Sequence, residues 1–145
     1  MSVVPVQTAP SLRALGLVFA GGVLGTAARE AIVLLTVTDG VPWAVFGVNV
    51  LGAFLLGMLV RGLHAQRETP RRRDARVFVG TGMLGGFTTY SALAADTVLL
   101  LTTAPAVGIA YATCSVIAGL AAAVAGWALA SRLWPRHLRT EEGEA

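Results

Sequence analysis

The sequence predicts an all-α membrane protein with four transmembrane helices, the third of which is broken. Three observations lead to this prediction. Hydrophobic residues make up 55% of the 145-residue chain and charged residues 13%, and the mean hydropathy is +0.71. Four apolar segments reach the roughly 17–25 residues that a membrane helix needs; they lie at residues 12–37, 41–63, 75–101 and 106–133. Inside the third segment, glycines and threonines interrupt the apolar run.

The four segments occupy almost the whole chain and leave no room for a separate soluble domain. We therefore predict one four-helix transmembrane domain over residues 12–134, flanked by tails at residues 1–11 and 135–145. A soluble globular fold is disfavoured, because the chain has too few polar residues to cover a core of this size. The first segment could also be a cleaved signal peptide, but its apolar character resumes at residues 31–37. Gly21 and Gly25 of this segment also have the four-residue spacing that suits close helix packing.

The placement of the arginines predicts the orientation in the membrane. All eleven basic residues are arginines, and all but Arg29 flank the first segment, the second connection or the end of the fourth segment: Arg13, Arg61, Arg67, Arg71, Arg72, Arg73, Arg76, Arg132, Arg136 and Arg139. With four spans these regions share one side, so the positive-inside rule predicts that both termini are cytoplasmic in a multi-pass protein of the cell membrane. Contact with anionic lipids would be a by-product, and nucleic-acid binding is disfavoured.

Arg29 is the one arginine towards the opposite side. It lies about 17 residues into the first helix, which at about 1.5 Å per residue brings it close to the outer boundary. Two interpretations stay open. In one, the side chain simply extends to the interface or pairs with a neighbouring carboxylate; in the other, its charge attracts anions to an outer vestibule.

Polar side chains within the second and fourth helices are candidates for an ion path. The carboxamide of Asn49 needs partners in hydrocarbon, so it faces either another helix or an aqueous path, where it would offer two N–H donors to an anion. Tyr111, Thr113 and Ser115 place several hydroxyls in the fourth helix. Such hydroxyls often only bond back to the carbonyl four residues earlier, and this alternative also stays open.

The glycine- and threonine-rich stretch of the third segment predicts a break in the helix. Glycine is flexible and threonine hydroxyls compete for backbone carbonyls, so Gly85-Gly86 followed by Thr88-Thr89 weakens the helical hydrogen bonds. In lipid, such a break survives only where protein or a water-lined cavity meets the freed backbone groups. Asp96 lies beyond the break, either solvated at a pore mouth or paired with an arginine.

The residue types that support other chemistry are missing. No Cys/His cluster has metal-ligand spacing, and the single Cys114 is best interpreted as a small packing residue. No Ser/His/Asp set and no carboxylate pair converge in the spans, so we predict that the protein is not an enzyme.

Three segments together resemble the Fluc/CrcB family of fluoride channels: residues 21–29, 48–57 and 85–91, which contain the Gly-rich run ending in Arg29, the Asn49 motif and the Gly-Gly-Phe-Thr-Thr-Tyr-Ser motif. The resemblance implies a channel of two four-helix subunits packed antiparallel, with two narrow fluoride paths along their interface. It further implies passive export of fluoride from the cytoplasm, which reduces its toxicity, and a structural sodium ion on the two-fold axis.

The same resemblance assigns roles to individual residues. The sodium ion would be held by backbone carbonyls at Gly85 and Thr88, in agreement with the expectation that a helix break frees carbonyl oxygens. The fluoride path would be lined by an asparagine, a ring edge, two hydroxyls and a vestibule arginine, which here are Asn49, Tyr90, Ser91, Ser115 and Arg29. Ring edges are electropositive and can contact an anion.

The chain departs from the family pattern after the break. The family typically reads Thr-Thr-Phe-Ser-Thr-Phe, whereas residues 88–93 read Thr-Thr-Tyr-Ser-Ala-Leu. Tyr90 keeps a ring edge and adds a hydroxyl, but Ala92 has lost a hydroxyl and Leu93 has no ring edge. One alternative is therefore a non-conducting or half-conducting structural subunit.

The arginine bias bears on the partner. A chain that inserts in one orientation cannot form an antiparallel pair with itself, so we expect a heterodimer with a second Fluc-type subunit of opposite charge bias, and a homodimer is the other option. A small proton-coupled drug exporter is less favoured, because it needs a carboxylate deep in the first span and Glu30 lies near the boundary.

Overall fold

Four helical spans are long and apolar enough to cross a membrane within the part of the chain that the structure describes. The computed structural model describes residues 11–36, 40–64 and 69–134. Three spans are single helices, α1 (Leu12–Leu35), α2 (Trp43–His64) and α6 (Pro105–Leu133). The third span is composite: α3 (Pro70–Ala75), a π-helical segment (Arg76–Leu84), α4 (Gly85–Phe87) and α5 (Tyr90–Thr103). The predicted all-α fold with a broken third span is confirmed.

The helix ends follow from local sequence. Ser11 caps α1 by accepting a hydrogen bond from the Ala14 N–H at 3.2 Å. Pro105 occupies the first position of α6, where its missing N–H costs nothing. The predicted first segment ended at residue 37, whereas α1 ends at Leu35 and residues 37–39 lie outside the described part. The predicted tails lie outside it as well, apart from Ser11.

The third span begins earlier than predicted. We expected it to start at residue 75 with the arginine run in the connection, but helix begins at Pro70. The reason is local: the Thr69 hydroxyl accepts a hydrogen bond from the Arg72 N–H at 3.4 Å, and Pro70 has a backbone angle preset for the first turn. The Arg13 guanidinium then forms an ion pair with Asp74, which ties α3 to the start of α1.

The helices pack through glycines, as expected where no hydrophobic force drives helices together in lipid. A Cβ added to Gly25 of α1 would collide with the Met83 carbonyl oxygen of the third span. On the other pair of helices, a Cβ added to Gly126 of α6 would collide with the Phe54 carbonyl oxygen of α2. The helices therefore make close backbone-to-backbone contacts in two pairs: α1 packs on the first half of the third span, and α2 packs on α6.

Arg61 lies within a helix contact rather than in a connection. Its side chain is buried between α2 and α6, and its Nε donates a hydrogen bond to the Ser131 hydroxyl at 2.8 Å. The guanidinium also lies 6.0 Å from the ring centroid of Trp127, within range of a cation–π contact. Below we call the end of the bundle with the Arg13–Asp74 pair the Arg13 side, and the end where α1 finishes the Arg29 side.

Candidate functional site

The break in the third span falls on two threonines. Thr88 (φ −77°, ψ 152°) and Thr89 (φ −144°, ψ 112°) are extended, and helix resumes at Tyr90. The Thr89 hydroxyl then caps α5 by accepting a hydrogen bond from the Ala92 N–H at 3.1 Å. The prediction of a break in the stretch Gly85-Gly86 to Thr88-Thr89 is confirmed; within that stretch the two threonines are extended, whereas both glycines are helical.

The side chain of Asn49 forms a two-way hydrogen bond with the backbone of Thr89. The Thr89 N–H donates to Asn49 Oδ1 at 2.8 Å, and Asn49 Nδ2 donates to the Thr89 carbonyl at 3.1 Å. In a continuous α-helix this N–H would bond the carbonyl of Gly85. The carboxamide of α2 therefore substitutes for a helical partner and holds the break. Since an amide nitrogen has two N–H donors, one donor of Asn49 is not used by Thr89.

Carbonyl oxygens around the break have unequal access to partners. The Leu84 carbonyl accepts two hydrogen bonds from Thr88, from its N–H and its hydroxyl, both at 3.0 Å. The Gly86 carbonyl accepts the Thr26 hydroxyl of α1 at 3.3 Å. Gly85 is exposed, and a Cβ added to it would contact nothing. Since Thr89 N–H bonds Asn49, the Gly85 carbonyl has lost its helical partner.

A groove of about 360 Å³ runs along the break. Its polar lining residues come from three different spans and include five of the seven predicted site residues: Asn49, Gly85, Thr88, Tyr90 and Ser115, together with Thr89. The Ser115 hydroxyl is buried and has no hydrogen-bond partner among the described residues. Tyr90 is 83% exposed. The groove thus offers an amide, hydroxyls and an aromatic ring to a ligand.

The other two predicted residues line a second cavity. This cavity of about 430 Å³ has Arg29, Glu30, Thr89 and Ser91 in its wall. The Ser91 and Thr89 hydroxyls are hydrogen-bonded at 3.1 Å, and Arg29 Nη2 lies 2.9 Å from Glu30 Oε1. Of the two open interpretations of Arg29, the pairing with a neighbouring carboxylate is present, and the arginine also faces a cavity.

Thr89 lines both cavities, and sequence reasoning had treated it only as part of the break. Its position before Tyr90-Ser91-Ala92, at a helix N-cap, is a signal that could have found it. Thr26 was also missed; it lies one turn after Gly22 on the face of α1 that meets the third span, but this face is not evident from sequence alone. Asp96 forms no ion pair among the described residues, and its Oδ2 is buried without a hydrogen-bond partner there.

Within the described ranges, no group of three or more His, Cys, Asp or Glu side chains could hold a metal ion. The backbone carbonyls at the break are oxygen donors, the kind of ligand that hard cations prefer.

Comparison with known sequences identifies the family. A family model described as CrcB-like protein, Camphor Resistance (CrcB), matches residues 16–127, which include every residue that lines the two cavities. The chain belongs to the CrcB family. Among its CrcB relatives, a protein of Leifsonia xyli named fluoride-specific ion channel FluC 2 is 46% identical over 86% of this chain and 88% of the relative. A FluC 2 of Halalkalibacterium halodurans is 34% identical over 94% of this chain and 98% of the relative. A FluC 1 of Cutibacterium acnes is 45% identical over 72% of this chain and 76% of the relative.

Proposed function

We propose that this chain is a subunit of a fluoride-specific ion channel that passively releases fluoride from the cytoplasm. The observation that carries the proposal is the groove at the break, where the Asn49 amide, the Ser115 hydroxyl and the Tyr90 ring line one path. The relatives named fluoride-specific ion channels support the choice of ion. Passive conduction needs no chemical step, in accordance with a protein that is not an enzyme.

The chemistry of the groove suits a small anion that holds its water tightly. Such an ion enters a narrow path only where protein donors replace its hydration shell. The unpartnered Ser115 hydroxyl and the second N–H of Asn49 are donors of this kind. The positive edge of the Tyr90 ring adds a favourable contact for an anion.

We propose that a sodium ion binds at the break as a structural ion. The Gly85 and Thr88 carbonyls are its ligands in this chain. The Thr88 hydroxyl already donates a hydrogen bond to the Leu84 carbonyl. Two carbonyls are too few for a hard cation, which takes about six or more oxygen ligands in the case of calcium and magnesium. The remaining ligands would come from a second subunit.

A second, inverted subunit would cover the groove and supply those ligands. Gly85 and Tyr90 are exposed on the single chain, and both line the groove. The arginine bias supports a partner of opposite orientation rather than a second copy, with this chain's termini in the cytoplasm and the channel in the cell membrane. A half-conducting subunit is the second candidate, because Leu93, which has no ring edge, lines the same groove as Tyr90.

Fluoride efflux from liposomes tests the proposal. Vesicles are prepared with this chain alone, with an oppositely biased homologue alone and with both, and efflux is followed with a fluoride electrode. We expect fluoride efflux from vesicles with both chains and little from those with this chain alone. Robust efflux from the lone chain would contradict the heterodimer, and its absence from every preparation would contradict the channel.

A further inference from the structure

We propose that Glu30 sets the fluoride affinity of the cavity on the Arg29 side by acting as a resident counter-ion that fluoride must displace. The inference rests on the proposed channel function. It assigns to Glu30 a role in ion binding at the Arg29 side of the path that the motif residues do not include.

The ion pair joins two residues that are adjacent in the sequence, which is unusual within a helix. Residues adjacent in a helix point in different directions and do not normally face each other. Arg29 and Glu30 are adjacent in α1, and yet Nη2 lies 2.9 Å from Oε1. The guanidinium therefore turns towards the carboxylate, and part of its capacity to bind an anion is already used.

The two side chains differ in exposure. The Arg29 side chain is 20% exposed and the Glu30 side chain 53%. The arginine is thus held in the cavity wall, whereas the carboxylate is solvated and can rotate away at low cost. An incoming anion would replace the carboxylate and leave the arginine in place.

Glu30 also determines the charge of the cavity. The wall contains one positive and one negative side chain, Arg29 and Glu30, and otherwise small, apolar and hydroxyl-bearing residues. The wall is therefore neutral with Glu30 ionised and carries one positive charge without it. Because Thr89 forms part of this wall and also of the groove at the break, the cavity adjoins the proposed path.

The expected effect is moderate and depends on salt. Solvent-exposed ion pairs are weak, so removal of Glu30 should lower the half-saturating fluoride concentration about two- to fivefold. Screening shortens the reach of charges from about 10 Å at 0.1 M salt to about 3 Å at 1 M. The difference from the wild type should therefore shrink at high ionic strength.

The test measures fluoride efflux from liposomes containing the conducting assembly, over a series of fluoride concentrations at low and high salt. Glu30→Gln should lower the half-saturating concentration with little change in maximal rate, and Glu30→Lys should lower it further. Asp74→Asn is the matched control, because it removes a carboxylate from an arginine pair on the Arg13 side, outside both cavities. It should leave the half-saturating concentration unchanged.

Other outcomes overturn the inference in distinguishable ways. An unchanged half-saturating concentration in both Glu30 variants, with the wild type conducting, would show that Glu30 does not compete with fluoride. A salt-independent loss of maximal rate would show that Glu30 only positions Arg29. Absence of efflux in the wild type would instead refute the proposed function itself.

Discussion

At the residue scale, Asn49 joins α2 to the break by using both polar groups of its amide. The pair with Thr89 satisfies the N–H that the extended backbone has withdrawn from the helix and gives the Thr89 carbonyl an additional donor. Buried polar groups without partners cost about 1–3 kcal/mol each. The same side chain can therefore be needed for the fold and for the ion path, and a single loss-of-function variant would not separate the two roles.

A pair of substitutions at Asn49 separates them. Asn49→Leu leaves the Thr89 N–H without its partner and removes a donor to the Thr89 carbonyl, so we expect a lower melting temperature and no fluoride efflux. Asn49→Asp keeps an acceptor for the Thr89 N–H but removes the donors and adds a charge, so it should retain more of the thermal stability than Asn49→Leu and still lose efflux. Thermal unfolding in detergent and liposome efflux are the measurements. Unaltered efflux in Asn49→Leu would remove Asn49 from the path.

Ser115 offers a prediction in which stability and activity diverge. Its hydroxyl is buried and unpartnered within the described residues, so Ser115→Ala should not lower the melting temperature. If fluoride uses this hydroxyl as a donor, efflux should fall about two- to tenfold, the worth of one hydrogen bond. Thr113→Ala on the exposed face of the same helix is the control and should change neither quantity. Full efflux in Ser115→Ala would contradict the assignment.

At the element scale, the third span has two irregular parts with different origins. The π-helical segment and α4 pack closely on α1, so their glycines serve contact between backbones. A Cβ added to Gly86 would crowd the Gly22 carbonyl oxygen. The break follows this packed segment, where Asn49 competes for the Thr89 N–H. Glycine flexibility is thus not what opens the helix.

A glycine substitution in α1 tests this packing. Gly25→Ala would drive a methyl group into the Met83 carbonyl, so we expect the helices to separate and stability to fall by about 1–3 kcal/mol, as in overpacked cores. Gly16→Ala in the same helix meets no atom within 4 Å and should leave stability unchanged or slightly raised. Thermal unfolding in detergent compares the two. Equal melting temperatures would contradict the close packing of α1 on the third span.

The sequence was sufficient to predict elements whose signal is local. Long apolar runs specify the four spans, and the Thr-Thr pair together with the glycines specifies that the third is interrupted. The break lies within the predicted stretch, but its exact residues, Thr88 and Thr89, could not be predicted, because the Thr89 N–H bonds Asn49, which is 40 residues away in the chain. The early start of the third span could have been predicted from Thr69-Pro70, but the arginine run suggested a connection.

At the scale of the whole molecule, the two cavities divide the predicted site. Motif similarity brought seven residues together as one set, but five of them line the groove and two line the Arg29 cavity, with Thr89 in both walls. This division depends on how α1, α2 and α5 pack, which motif spacing cannot specify. The exposed Gly85 and Tyr90 leave the groove open on one side.

Gly85→Val distinguishes a role in assembly from a role in the single chain. The added side chain starts from a position with no neighbouring atom within 4 Å, so the isolated subunit should insert and fold. If a second subunit and a sodium ion meet at the Gly85 carbonyl, the variant should fail to form a dimer and should lose efflux. Size-exclusion chromatography in detergent and efflux assays measure both. A normal dimer with full efflux would place the subunit contact elsewhere.

The most direct test of the account is simultaneous recording of fluoride and chloride efflux from liposomes containing this chain and an oppositely biased homologue, the partner proposed above. A path lined by the Asn49 amide, the Ser115 hydroxyl and the Tyr90 ring predicts rapid loss of fluoride while chloride stays inside the vesicles. Retention of both ions, or release of both at similar rates, would contradict the claim that the broken third span forms a fluoride path.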